Sequence, residues 1–396
     1  MQFDNSRTPV PPVIRFIAGN LLFGTGLIFH AFLYNFYLDA LRLTTVEMGR
    51  AAAALTAGGL IMLLPAGPLA DRIGLRRTVT LAAVVLAVGL ALGAIAASPI
   101  AIYGAALVAG AGSVMWRVAV PPILMGLTDE HSRPRAFAWN VGALVGWGGV
   151  ATALAGWTST WLGSIRGALL LGAAVSGLSG LCFATLRASP VVTRPSEPAP
   201  PRPLSTHLAP LIRDFLPAIA LISLFMLGAA LAAPFFNLYF QRVHALSVPR
   251  IATLFAACNI VWALAVFASG ELAGRFGVRR VLAVALLGFA PAMLGLSLVA
   301  WLPIAVLLFV LQGAVGPVTN PLIDQWLLGR TAREHQGLIS SWRQAAADAS
   351  AMIGASVGGQ VLARGEGGFT GLFLVAAVVG MCGAVALTVV VRRNEG

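Results

Sequence analysis

The chain has 396 residues, of which 58% are hydrophobic and only 10% charged, and its mean hydropathy is +0.88. A soluble domain carries about 25% charged residues, so one aqueous core is excluded and the bilayer must solvate most of this chain. The formal charge of +12 comes from arginine alone, and those arginines sit in short turns between apolar runs, not on one soluble face, which argues against nucleic acid as a partner.

The N-terminus, Met1–Pro12, is short and polar with no clear cleavage site, and the apolar run after it reads as a retained helix. A spanning helix needs roughly 20 mainly apolar residues, and about twelve runs satisfy this. In the first half they are Val13–Leu38, Met48–Ala70, Thr78–Ala97, Ile100–Leu127, Ala136–Thr158 and Ile165–Leu186. In the second half they are Phe215–Phe240, Ile251–Gly270, Val281–Ala300, Ile304–Leu328, Leu338–Leu362 and Phe369–Val391. Between the halves, Ala188–Arg213 is rich in proline (Pro190, Pro195, Pro198, Pro200, Pro201, Pro203, Pro210) and reads as a solvated, semi-extended linker. The expected organisation is therefore an all-α membrane protein with two six-helix bundles, residues 1–187 and 214–396, joined by a cytoplasmic linker over residues 188–213. Cys182, Cys258 and Cys382 lie in apolar runs with no metal-ligand spacing and are expected to be buried thiols.

The halves are copies. Gly67-Pro-Leu-Ala-Asp71-Arg72-Ile-Gly74-Leu-Arg76-Arg77 recurs as Gly270-Glu-Leu-Ala-Gly274-Arg275-Phe-Gly-Val-Arg279-Arg280, and Gly126 and Trp139 match Gly329 and Trp342 at the same spacing. Asn35 and Asn237, near the ends of the first and seventh spans, match at nearly that spacing. Parallel repeats of this kind place a substrate site near the bilayer midplane at their interface. An even number of spans puts both termini on one side. Seventeen arginines, among them Arg7, Arg187, Arg194, Arg202 and Arg333, fall on that side against six on the other, so the termini, the linker and both charged turns are expected in the cytoplasm.

The Gly67–Arg77 turn resembles the signature loop between the second and third helices of the major facilitator superfamily, and Gly270–Arg280 its degenerate copy. Span count, linker and repeat extend the resemblance over nearly the whole chain. It implies that the first, fourth, seventh and tenth helices line a central cavity. It also implies that Asp71 latches the cytoplasmic side through the eleventh helix, with Gly67, Arg72, Gly74, Arg76 and Arg77 shaping the turn. The alternative is a turn that only fixes topology. Gly274 replaces the aspartate in the second copy, so Gly270, Arg275, Arg279 and Arg280 offer no matching carboxylate. Two features depart from the family: Ala106 precedes Gly110-Ala-Gly112 where many members have arginine, and Gly142–Gly149 contains no proline, unlike drug antiporters.

An ionisable residue deep in a span costs several kcal/mol unless it meets water or a partner, and so is a functional candidate. Arg117, about 15 Å from the cytoplasmic end of the fourth span, can grip a carboxylate or phosphate, or it can lock neighbouring helices. Asp348 and Asp324 are candidates for proton coupling, with a constant ion pair to Arg117 or Arg343 as the alternative. His30 and Tyr34 share a face of the first span. Asn35 and Asn237 either contact a polar substrate or cap the outer gate. Gln312 and Asn320 complete the cavity set, with Trp116, Trp139 and Trp342 as weaker members; Trp301 reads as an interface anchor. Gly354 and Gly358, matching Ala151 and Ala155, are expected to let the halves meet backbone to backbone. No nucleophile–base pair, metal ligand set or Gly-x-x-x-x-Gly-Lys loop is present, so neither an enzyme, a metal site nor a cofactor is expected. The expected function is secondary transport of a small molecule by a monomer in the cytoplasmic membrane, in contact with its lipids and coupled to protons. An uncoupled facilitator and a non-transporting receptor or scaffold are the rivals.

Overall fold

In the computed structural model, which describes residues 11–129, 131–186, 204–332, 335–364 and 368–393, all regular secondary structure is helical. Helices α1 (Pro11–Ala40), α2 (Thr45–Ile73), α3 (Leu75–Ile95), α4 (Pro99–Leu127), α5 (Arg133–Trp161) and α6 (Ile165–Ala184) follow the first six runs. The seventh run is divided into α7 (Leu204–Ala232), a 3-10 turn (Ala233–Phe235) and α8 (Phe236–Arg242). Then come α9 (Val248–Phe276), α10 (Val278–Leu298), α11 (Leu302–Leu328), α12 (Gln336–Ala363) and α13 (Gly368–Arg393). Pro234 stands at the start of the 3-10 turn, where its missing N–H interrupts the helical ladder.

Among the described residues, eleven helical spans are long and apolar enough to cross a bilayer. The twelfth expected span, α12, is long enough at 28 residues, but Ser340, Ser341, Arg343, Gln344 and Asp348 make it too polar to qualify by composition. Helix α7 begins eleven residues before the expected start, so the C-terminal part of the proline-rich segment is helical. Arg7, Arg187, Arg194, Arg202, Arg333 and the prolines from Pro190 to Pro203 lie outside the described residues.

The helices form two compact units. One holds α1, α2 from Ala54 onward, α3 to α6 and the start of α9 (Ser247–Asn259). The other holds Thr44–Ala53 at the start of α2, α7, α8, α9 from Ile260 onward and α10 to α13. In the first unit α1 packs on α5 and α6, and α3 on α4 and α6. In the second, α7 packs on α12 and α13, and α10 on α11 and α13. The two sets of pairs correspond one to one under the sequence repeat.

Phe16, Phe23, Val79, Leu86, Met115 and Phe183 are buried in one cluster in the first unit. Ile219, Leu327 and Ile339 form a smaller one in the second. Large exposed residues such as Leu64, Phe267 and Val284 are what a lipid-facing surface requires. The same logic corrects the cysteines: Cys258 is buried, but Cys182 is only half-buried and Cys382 is exposed, because an apolar span has a side turned to lipid as well as a packed side. All three are free.

Candidate functional site

The signature turn and its copy share a backbone. Gly74, the N-cap of α3, has φ 86° and ψ 146°; Gly277, the N-cap of α10, has φ 86° and ψ 142°. Side chains avoid this region, so glycine permits the sharp reversal between adjoining helices. Asp71 and Arg72 are exposed at the end of α2, and Arg76 and Arg77 on the first turn of α3.

The second unit carries a charge pair. Asp324 on α11 faces Arg343 on α12: the Arg343 Nε lies 2.6 Å from Oδ1, and its Nη2 donates to Oδ2 at 3.1 Å. The arginine side chain is 12% exposed and the aspartate 37%. Asn320 is one turn from Asp324 on the same helix and near its face, whereas Gln312, twelve residues before Asp324, is turned about 120° from it. Gln312 is buried and Asn320 exposed. Asp348 accepts a hydrogen bond from Gln344 Nε2 at 2.9 Å on its own helix.

On α1 the rings of His30 and Tyr34 stack with centroids 3.9 Å apart, and Tyr34 stacks on Tyr37 at 6.1 Å. Tyr37 donates to the Ala94 carbonyl at 2.6 Å, whereas the buried Tyr34 hydroxyl has no hydrogen-bond partner among the described residues. Asn35 is buried. So is its symmetry mate Asn237 on α8, whose Oδ1 accepts from the Leu238 N–H at 2.9 Å. Arg117 is on the exposed side of α4.

Sequence reasoning overlooked a polar network in the first unit. Asn20 is completely buried; its Nδ2 donates to Asn140 Oδ1 at 2.7 Å, and its Oδ1 accepts from Trp116 Nε1 at 2.9 Å. Trp116 also stacks on Phe23 with centroids 4.8 Å apart, and Trp147 Nε1 donates to Thr25 Oγ1 at 2.9 Å. Helices α1, α4 and α5 are thereby joined. The available signal was an asparagine inside each of two apolar runs, since a buried amide requires partners. Trp139 and Trp301 are exposed. Gly354 and Gly358 face α7 of their own unit. They close on Ala230 and Leu231 of α7, while Gly359, one position further round α12, meets Thr45 and Gly49 of α2. A shift of one residue turns a helix by about 100°, and the sequence pattern does not settle which small residue faces which neighbour.

No group of three or more His, Cys, Asp or Glu side chains suited to a metal occurs among the described residues. The family model for the Major Facilitator Superfamily matches residues 16–303 and 219–396, and the chain belongs to that superfamily of membrane transporters. It is a transporter, not an enzyme. Among solved structures, the nucleoside transporter NupG is similar at 16% identity, covering 96% of this chain and 99% of its own, with a TM-score of 0.77. A bacterial homologue of the human lysosomal transporter Spinster, inward-facing and unoccupied, has 16% identity, 96% coverage of both chains and a TM-score of 0.77. A D-xylose–proton symporter has 15% identity, 95% and 96% coverage and a TM-score of 0.74. These likenesses establish the fold. No match was found among curated protein sequences.

Proposed function

We propose that this protein is a proton-coupled secondary active transporter that moves a small molecule across the cytoplasmic membrane by alternating access. This reading rests on the two-point ion pair between Asp324 and Arg343 on adjoining helices, taken as a pair that opens on protonation and not as the constant ion pair that is its alternative. Protonation of Asp324 removes its charge, breaks the pair and releases a guanidinium whose planar fork suits an anionic group. Deprotonation restores the pair. One proton thereby changes how α11 and α12 are held together, which is the linkage a coupled carrier needs. Asp348, held by Gln344, is the second coupling candidate. The solved neighbour described as a proton symporter supports the reading by analogy of fold.

Substrate contact is assigned to His30, Tyr34, Asn35, Arg117, Asn237, Gln312 and Asn320. Gly67, Asp71, Arg72, Gly74, Arg76 and Arg77 form the cytoplasmic latch, aided by Gly270, Arg275, Arg279 and Arg280. The protein acts as a monomer with both termini in the cytoplasm, a placement supported by the arginine distribution. The test begins with a thermal-shift screen of metabolites and drugs to find a ligand. Flux of that ligand into proteoliposomes is then measured with and without a pH gradient. The expected result is gradient-driven accumulation that Asp324→Asn abolishes while substrate exchange persists. Flux indifferent to both the gradient and the substitution would replace this reading with an uncoupled facilitator.

A further inference from the structure

A cleft of about 350 Å³ opens in the first unit between α3 and α6, lined by Arg76, Arg77, Thr80, Leu81, Val84 and Ala184. Its chemistry is divided along its length. Both arginines stand at the end of α3 next to the signature turn and are exposed. Among the described residues one weak contact engages them: Arg76 Nη1 lies 3.5 Å from the Leu186 carbonyl. Thr80 donates to the Arg76 carbonyl at 2.9 Å, which holds the first turn in place and leaves the guanidinium groups as the donors. Beyond them the wall is apolar and exposed: Leu81 at 40%, Val84 at 49% and, one turn on, Val88 at 47%.

We propose that this cleft binds the phosphate of an anionic membrane phospholipid, with an acyl chain lying along Leu81, Val84 and Val88. Two guanidinium groups match a phosphate by charge-assisted, two-point hydrogen bonding. The apolar strip that continues from them is exposed on a membrane-spanning helix, so it meets lipid and not a dissolved ion. A phosphate at the bilayer surface with a chain running inward presents the same order of chemistry. The second repeat keeps the arginine pair as Arg279 and Arg280, but Ala283 stands at the position of Thr80. The small Ala184 in the cleft wall leaves room for a headgroup that a larger side chain would fill.

Native mass spectrometry of the full chain in detergent, titrated with phosphatidylglycerol or phosphatidylcholine, tests this. The expected result is preferential binding of phosphatidylglycerol, weakened about tenfold in R76Q/R77Q, as two surface arginines warrant. A184L, which keeps both charges, weakens it as well, and R279Q/R280Q leaves it unchanged. Equal loss in the two arginine double variants would reduce the effect to general surface charge and overturn the site, as would unaltered binding in A184L. Inorganic phosphate or glycerol phosphate that displaces the lipid at comparable concentration would reassign the cleft to a soluble anion and overturn the lipid proposal.

Discussion

The Asp324 carboxylate and the Arg343 guanidinium meet at two points, 2.6 Å and 3.1 Å, in neighbouring helices of a membrane protein. Removing one partner strands the other in a poorly solvated place, whereas removing both leaves no charge to strand. D324N and R343Q should therefore each lower stability by about 1–3 kcal/mol, reduced from the fully buried case because the aspartate is 37% exposed. D324N/R343Q should recover much of that loss. Thermal unfolding of the three variants in detergent measures the coupling, and additive losses would mean that the pair contributes nothing.

Gly74 and Gly277 hold the same φ of 86° at corresponding turns. Any side chain there is forced into a region that costs about 1–3 kcal/mol. G74A and G277A should each lower the melting temperature. G67A, where an added Cβ meets nothing within 4 Å, should stay within about 0.5 kcal/mol of the parent. Equal melting temperatures for all three variants would refute the strain argument.

A third prediction concerns pH. His244 lies between α8 and α9, its Nε2 3.1 Å from the Tyr239 hydroxyl, and burial pushes its pKa below the usual 6.5. Below that value the unfolded chain gains a proton that the folded one resists. Stability from this group is therefore complete above about pH 6.5 and declines as pH falls below it. Between pH 7.5 and 5 the parent should lose more in melting temperature than H244Q does. Parallel curves would show that His244 is not responsible.

Within the second unit, Thr45 donates to the Gly359 carbonyl at 3.0 Å, and the backbone of α2 sits where a Gly359 side chain would go. Over-packing of such a seam costs about 1–3 kcal/mol, so G359V should destabilise. T45V, which removes only the hydrogen bond, should lose about 1 kcal/mol. A G359V protein as stable as the parent would show that this contact is not maintained in solution.

If Asp71 latches the cytoplasmic side, D71N should insert and fold normally yet transport at least about tenfold more slowly, a loss of roughly 1.4 kcal/mol in the rate-limiting step. An unchanged rate in proteoliposomes would leave the turn as a topology determinant.

Helix order, the internal repeat and the glycine turns were legible along the chain because each depends on local composition. Runs of apolar residues must span, and glycine at Gly74 and Gly277 relieves a strain that arises within a few residues. The site was legible only in part. His30 and Tyr34, four residues apart on one helix, meet as their spacing requires. Asp324, near the cytoplasmic end of its span, and Arg343 were both visible as charges, with their ion pair as one of two alternatives, but a hundred-degree turn per residue separates a pair that meets from one that misses, and nothing local sets that angle. For the same reason Gly359, and not Gly354 or Gly358, approaches α2. The Asn20–Asn140–Trp116 network joins three helices separated by many residues, and only their packing brings the amides and the indole within hydrogen-bonding distance.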